Sequence, residues 1–408
     1  MVPERDFHKY SAQLKRALQR VEESTISRKN KNIIFKFDKG CKLEGLSDPR
    51  RLKLVGNLHI IARDLLKKDF DKATKENVKD VVFKIESRED YSVWTKQNYR
   101  VILKKFYKWL KFGDDYKSMR EYPPIVSWIN TNVKNKDKPR IQASDILTED
   151  EVKKLIDVAD HPRDKAFISL LYELGARVGE IGLLRIKDVT KDKYSFIIDL
   201  RGKTGHRTPR VVISDPYLTN WLNNHPLKDD LNAPLWVTLG MRAHQRLGYA
   251  SVRKLLARLK KKAGIKKRIY NHLFRHTRVT HLLGNKQINE AQAKVYFGWV
   301  PSSKMLSEYS HLLSSDVNDA ILDLHGIKKE EQKESKLKPK HCPTCKAINA
   351  SDALFCQRCS KPLDVKIAIE LDEKRQRKDD MMKKLLEDPK IVSIMVDKME
   401  ELGLVHEK

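Results

Sequence analysis

The chain has 408 residues and carries 83 Lys+Arg against 55 Asp+Glu, a formal net charge of +28. At roughly 150 residues per domain this length predicts two or three domains, and 40% apolar residues are enough for packed cores, which excludes a wholly disordered chain. No run approaches the ~18 apolar residues of a membrane-spanning helix, and the opening MVPERDFHKY has no apolar signal core, so a cytoplasmic protein with no membrane partner is expected. The excess charge is uneven: residues 1–140 are net +15, residues 141–328 net +11, and the remainder only +2. The first two segments are therefore expected to face a polyanion, and nucleic acid is the natural candidate.

Residues 1–128 read as helical, with apolar residues at three- and four-residue spacing over 6–21, 29–42, 48–66, 75–85 and 92–112. Gly45-Leu-Ser-Asp-Pro49 breaks the pattern and restarts it with a cap and a proline. The 92–112 helix mixes Trp94, Tyr99, Phe106, Tyr107 and Trp109 with basic residues. Aromatics at this spacing favour a core role, which leaves Lys96, Arg100, Lys104 and Lys108 as candidates for contact with the DNA backbone. Residues 129–144 are polar, charged and proline-containing, and read as a linker. Thr148-Glu-Asp-Glu151 then opens a helix with a capping-box pattern. Two β-branched runs, 194–200 and 209–213, flank the hairpin tip Arg201-Gly-Lys-Thr-Gly-His-Arg207. Helices are predicted over 250–262, 270–283, 289–297 and 303–311, followed by a second charged linker at 328–340.

The cysteines form a self-contained signal. Cys342-Pro-Thr-Cys345 and Cys356-Gln-Arg-Cys359 are two CxxC turns at the spacing of a zinc ribbon, predicted over 341–363. Four thiolates satisfy tetrahedral Zn²⁺ and leave no open position, so the metal is expected to be structural and to supply the folding energy that so short a segment lacks. Cys41, inside a predicted helix, reads as an ordinary buried thiol. The tail, 364–408, is helical in pattern, with apolar stripes (Met382, Leu385, Leu386; Ile391, Ile394, Met395, Met399) and balanced charge. That composition suits contact with accessory proteins better than contact with a polyanion.

A second constellation is scattered along 145–327: Gly175-Ala-Arg177-Val-Gly-Glu180, Gly202-Lys203, His272-Leu-Phe-Arg275-His276, Gly298-Trp299 and Glu308-Tyr309. In this order the set resembles the tyrosine recombinases, the integrase family of site-specific DNA recombinases. LLYELGARVGEIGLLRIKDV resembles the family's first arginine box and HLFRHTRVTHLL its HxxR box, while residues 1–125 share only the layout of a basic helical domain before a linker. GWVPSSKMLSEYSHL has one residue more between Trp299 and Tyr309 than the commonest bacterial pattern, and looks like archaeal homologues, some of which carry a C-terminal zinc ribbon.

The resemblance implies a mainly α fold with a small β-hairpin sheet in the catalytic domain. It further implies a C-shaped DNA clamp made of a helical core-binding domain and a catalytic domain, followed here by the ribbon. It implies roles as well. Arg177 and Arg275 neutralise the phosphorane, a task for which paired, permanently charged planar guanidiniums are suited. His272 and Trp299 add donors, and Lys203 protonates the departing 5′-oxygen. Glu180 and His276 are accessory residues, and Tyr309 is the nucleophile that holds DNA as a 3′-phosphotyrosyl ester. No metal or ATP enters that chemistry, and self-association as a tetramer on paired sites is expected, with an amphipathic helix at 316–324 docking on a neighbour. The alternatives are a non-cleaving DNA-binding homologue and a type IB topoisomerase-like nicking-closing enzyme; the full set of six catalytic residues argues against decay to the first.

Overall fold

The computed structural model describes residues 7–202, 205–240, 244–284, 287–309 and 335–402. The chain divides into two compact units, Met1–Ile141 and Gln142–Lys408. No helix among the described residues is long and apolar enough to cross a membrane.

The first unit is built from α1 (Tyr10–Glu23), α2 (Arg28–Leu43), α3 (Asp48–Ile60), α4 (Lys75–Glu86), α5 (Val93–Phe112) and the short α6 (Pro124–Ser127). Side-chain caps fix several of the starts: Ser27 accepts from the Asn30 amide, and Thr74 and Asn77 form a reciprocal capping box. The sequence pattern over 48–66 is helical throughout, but its last turn, Ile61–Leu66, widens to a π-helix that ends at Lys67 with φ +49°. Ile34, Phe37, Leu58, Phe70, Val81 and Phe106 make the core, with Phe106 edge-on to both Phe37 and Phe70. Burying each such side chain contributes about 1.5–3 kcal/mol. The buried Arg51 guanidinium holds Asp38 in a two-pronged pair, 3.0 and 2.5 Å. The aromatics of α5 thus serve the core, as their spacing predicts, with Trp94 the exposed exception.

The second unit begins with α7 (Glu149–Asp157), capped by Thr148 and Glu151. It is organised around α8 (Pro162–Leu174), whose residues from Ala166 to Leu174 are all buried. A helix apolar on every side must run through a core, and α8 packs against α7, α10 (Asp215–Asn223) and α12 (Asn271–Gly284). Between α8 and α10 lie the one-and-a-half-turn α9 (Val178–Gly182) and five short strands, β1 (Val189–Lys191), β2 (Phe196–Ile198), β3 (Leu200–Gly202), β4 (Gly205–Arg207) and β5 (Arg210–Val211). They pair as two antiparallel sheets rather than one simple hairpin: β1-β2-β5, with Phe196 opposite Val211, and β3-β4, with Leu200 opposite Arg207. The tip expected to be a loop is thus itself paired, and β1 extends the expected pair of strands to three.

α11 (Tyr249–Lys262), α12 and α13 (Glu290–Phe297) complete the helical shell. The helix expected over 303–311 is, among the described residues, only a 3-10 turn at Met305–Glu308, entered through Ser303, whose hydroxyl accepts from the Met305 amide. The region from 310 to 334, which includes the predicted helix at 316–324, lies outside the described residues.

β6 (Lys340–His341) and β7 (Ile348–Asn349) pair in the cysteine-rich segment. The described part of the second linker, 335–340, does not hang loose: Ser335 donates to Glu149 at 2.7 Å and Lys336 pairs with Asp150, both at the start of α7. Lys153 of α7 also reaches Asp352 beside the cysteines, at 3.2 Å. Two exposed helices, α14 (Val365–Leu386) and α15 (Pro389–Glu401), end the chain.

Candidate active site and metal centre

The site is assembled where α8, α9, α12 and α13 end or begin. α8 stops at Gly175, which adopts φ +50°. A Cβ there would lie 2.8 Å from the Phe297 ring and 3.1 Å from Arg278 Cβ, so both backbone conformation and space require glycine. Two residues later Arg177 forms the N-cap of α9, and its Nη1 donates to Glu180 Oε1 at 2.8 Å. Glu180 is buried, and its second oxygen accepts from Nη2 of Arg207 on β4, also at 2.8 Å. Burial works to raise the Glu180 pKa, but the hydrogen bond and charge of Arg207, then those of Arg177, overcome it and hold the carboxyl below its usual range.

This carboxylate fixes the hairpin. A Cβ on Gly202 would sit 2.2 Å from Glu180 Oε1, so the strand leading to residue 203 can pass the carboxylate only as glycine. Arg207 also runs beneath Gly298, where an added Cβ would meet its Nη1 at 2.7 Å. One arginine thereby ties together α9, the hairpin and the turn that presents Trp299. Arg207 is absent from the sequence-based set. The signal for it was strand alternation: opposite Leu200 it must point inward, as Leu200 does. Lys203 lies outside the described residues, as does the side chain of Glu308.

α12 contributes the HxxR box. Arg275 is only 2% exposed, and donates through Nη1 to Gly175 O (3.0 Å) and through Nη2 to Phe297 O (2.8 Å). Its guanidinium lies 5.3 Å from the centre of the Trp299 ring, within cation–π range. Burial, then the charge of Arg177, push its pKa down to about 10, which still leaves it a cation at neutral pH. Two of its five N–H donors are spent on these carbonyls. His272 is exposed; partial desolvation and the charges of Arg275 and Arg177 lower its pKa. One turn on, His276 is buried and its ring stands edge-on to His272, 4.5 Å between centres.

Trp299 follows Gly298, which closes α13 at φ +63°. Its indole lies 6.2 Å from the ring of Tyr309, inclined by 30°. Tyr309 is 1% exposed, and its hydroxyl lies 2.7 Å from His276 Nδ1. A second tyrosine nearby, Tyr296 of α13, donates to Glu173 O at 2.9 Å and serves the scaffold. Arg177, Arg275, His272, His276, Trp299 and Tyr309 thus come together through a continuous chain of contacts and charges. Such a cluster offers anchored cations for an oxyanion and a phenol beside a neutral imidazole.

The four candidates on α5 are engaged within the first unit. Lys96 donates to Glu86 O, Arg100 pairs with Glu86 at 3.6 Å, and Lys104 and Lys108 donate to Ile129 O and Met119 O while flanking the Tyr122 ring. Cys41 is buried, and desolvation pushes its thiol up to about 11, as befits an inert core residue.

The sulfurs of Cys342, Cys345, Cys356 and Cys359 all lie within 4.8 Å of one another. The pairs Cys342–Cys359 and Cys345–Cys356 are 3.6 and 3.5 Å apart, far beyond the ~2.05 Å of a disulfide. They are close to the ~3.8 Å that tetrahedral Zn–S bonds of about 2.3 Å demand. The donor set fits zinc.

With this geometry in view, similarity to known proteins is informative. Residues 145–316 match the phage integrase family. Tyrosine recombinase XerA of Pyrococcus furiosus is 35% identical over 139 residues, which is 34% of this chain and 47% of that protein. The chain thus spans about half the length of this relative. A tyrosine recombinase of Pseudothermotoga lettingae is 27% identical over 271 residues, 66% of this chain and 82% of that one. Among solved structures, a lambda integrase dimer bound to a COC′ core site aligns with 67% of this chain and 96% of that chain, at 15% identity and a TM-score of 0.50. That likeness is one of fold.

Proposed function

We propose that this protein is a site-specific DNA recombinase that cuts and rejoins strands through a 3′-phosphotyrosyl intermediate on Tyr309. The observation that carries this reading is one connected cluster in the span that matches the phage integrase family: Arg177 beside Arg275, His272 against His276, and His276 and Trp299 against the buried Tyr309. The scissile phosphate sits against the two guanidiniums, whose fixed charge stabilises the pentacoordinate phosphorane. The Tyr309 oxygen attacks phosphorus, and the bond to the 5′-oxygen breaks. Lys203, which follows Gly202 in the sequence, supplies the proton to the departing oxygen. The ester conserves the bond energy, so the released 5′-hydroxyl of a partner strand reverses the step without ATP. Metal is not required for this chemistry, because the arginines do the electrostatic work that a divalent cation does in other phosphoryl-transfer sites.

Residues 1–128 act as the core-binding domain, residues 145–327 as the catalytic domain, and the working species is a tetramer on two duplex sites. Zinc held by Cys342, Cys345, Cys356 and Cys359 closes two turns into one fold and supplies structure only. Residues 364–408 serve contact with accessory proteins. The deciding experiment is a nicked suicide duplex, in which the cut fragment diffuses away and the covalent adduct accumulates. The wild-type chain should form the adduct, and Tyr309→Phe should form none while binding the duplex as before. An adduct on the variant would remove Tyr309 from this role.

A further inference from the structure

We propose that His276 is the base that takes the phenolic proton of Tyr309 during strand cleavage. The inference rests on the recombinase reading above and assigns His276 a direct role in place of an accessory one. The ring in hydrogen-bond contact with the reacting oxygen belongs to His276: its Nδ1 lies 2.7 Å from the Tyr309 hydroxyl, inside the range for direct proton transfer. Both groups are buried, His276 at 8% and Tyr309 at 1% exposure, so bulk water does not compete for the proton.

The protonation states agree with this geometry. Burial, then the charges of His272 and Arg275, push the His276 pKa down to about 4, so at neutral pH the imidazole has a lone pair to offer. The phenol then donates and Nδ1 accepts, which places the ring hydrogen on Nε2. The charged or titratable groups around His276 are His272 and Arg275 on its own helix and Tyr309 from the segment after Met305–Glu308. The two basic groups, His272 and Arg275, disfavour an imidazolium while the site is empty. A bound phosphate brings negative charge against the same cations, which raises the basicity of His276 when the proton has to move.

The step balances without any further reactant. The O–H bond of Tyr309 breaks as its oxygen forms the bond to phosphorus, and the proton passes to His276 Nδ1. The bond from phosphorus to the 5′-oxygen breaks, and that oxygen is protonated from the hairpin side. In rejoining, the imidazolium returns its proton to the departing phenolate.

The test uses the full chain, a nicked suicide duplex and single-turnover cleavage. His276→Asn keeps an acceptor atom near the position of Nδ1 but cannot take up a proton. It should slow cleavage by about 100-fold or more, the usual contribution of a positioned base, with duplex affinity unchanged. Replacing Tyr309 by a trifluorotyrosine, whose phenol ionises far more readily, should restore at least about tenfold in the variant and change the wild-type rate much less. A variant that cleaves within about threefold of wild type overturns the proposal. So does a slow variant that the fluorinated phenol leaves slow, since that marks a purely structural role. If His276→Asn loses duplex binding, His276→Gln is measured in its place against the same outcomes. A wild-type chain that forms no adduct overturns the recombinase reading and this proposal with it, whereas a normal adduct on the variant overturns this proposal alone.

Discussion

Arg207 is expected to be a positioning residue that acts through Glu180. Removing one partner of a buried ion pair typically costs about 3–5 kcal/mol; here Arg177 stays behind, so Arg207→Leu should cost about 2–4 kcal/mol locally. The Glu180 carboxyl is held below its usual pKa chiefly by Arg207 against the cost of burial, and a group lowered in this way stabilises the fold above its unfolded pKa, about 4.3. That stabilisation is lost as pH falls through the folded value. Without Arg207 the folded value rises, so the acid loss should begin at a higher pH. Hydrogen exchange of the full chain reads this locally, with peptides covering 175–185 compared against 54–62 in the first unit. At 1.36 kcal/mol per decade the expected opening corresponds to roughly 30- to 1,000-fold faster exchange in the former and none in the latter. Strand cleavage should slow in parallel, and the double variant Arg207→Leu/Glu180→Gln should be no slower than the slower single one, because the two act in series. Unchanged exchange at 175–185, or additive losses in the double variant, would refute the argument.

Gly175→Ala should be severely destabilising, because a side chain at φ +50° must also displace the Phe297 ring from 2.8 Å; thermal unfolding followed by the Trp221 and Trp236 signals of the second unit checks it. Cleavage should persist in excess chelator, and its loss with recovery on added Mg²⁺ would point to different chemistry. Cys345→Ser should release the ribbon, seen as faster exchange over 340–363. Deleting residues 330–408 should leave cleavage within roughly tenfold, about 1.4 kcal/mol on the barrier, because the ties to α7 are surface ion pairs worth about 0–1 kcal/mol each. Complete recombination should suffer more.

Much of this was legible from residue order. The apolar spacing marks the helices of the first unit, and the CxxC pairs announce a four-sulfur site. Periodicity failed where pairing is long-range. β1 has only three residues, and its partner Ile198 follows a turn, so no local pattern marks it as a strand. Arg207 looked like one more basic residue at a hairpin tip, because its value lies in a carboxylate twenty-seven positions earlier. The segment 335–340 is charged enough to read as a spacer, yet its Ser335 hydroxyl and Lys336 ammonium meet Glu149 and Asp150 at a helix start. Composition cannot distinguish a solvated charge from one that meets its complement across the fold. The α5 lysines show the converse: facing away from the core predicts exposure, but flexible side chains fold back onto nearby carbonyls.

Arg275 grips Gly175 O and Phe297 O, the backbone on either side of the pocket, with the same guanidinium expected to meet the phosphate. A mutational scan will therefore misread this position: any replacement loosens the walls while it deletes a charge, and the measured defect merges architecture with electrostatics. Exogenous guanidine offered to Arg275→Ala would have to rebuild two carbonyl bridges before it could help catalysis, so poor chemical rescue there would carry little information about the phosphate. Arg177 is the cleaner reporter, since its side chain is 38% exposed and its carboxylate partner retains Arg207 when it is removed. Quantitative dissection of charge in this site should begin at position 177.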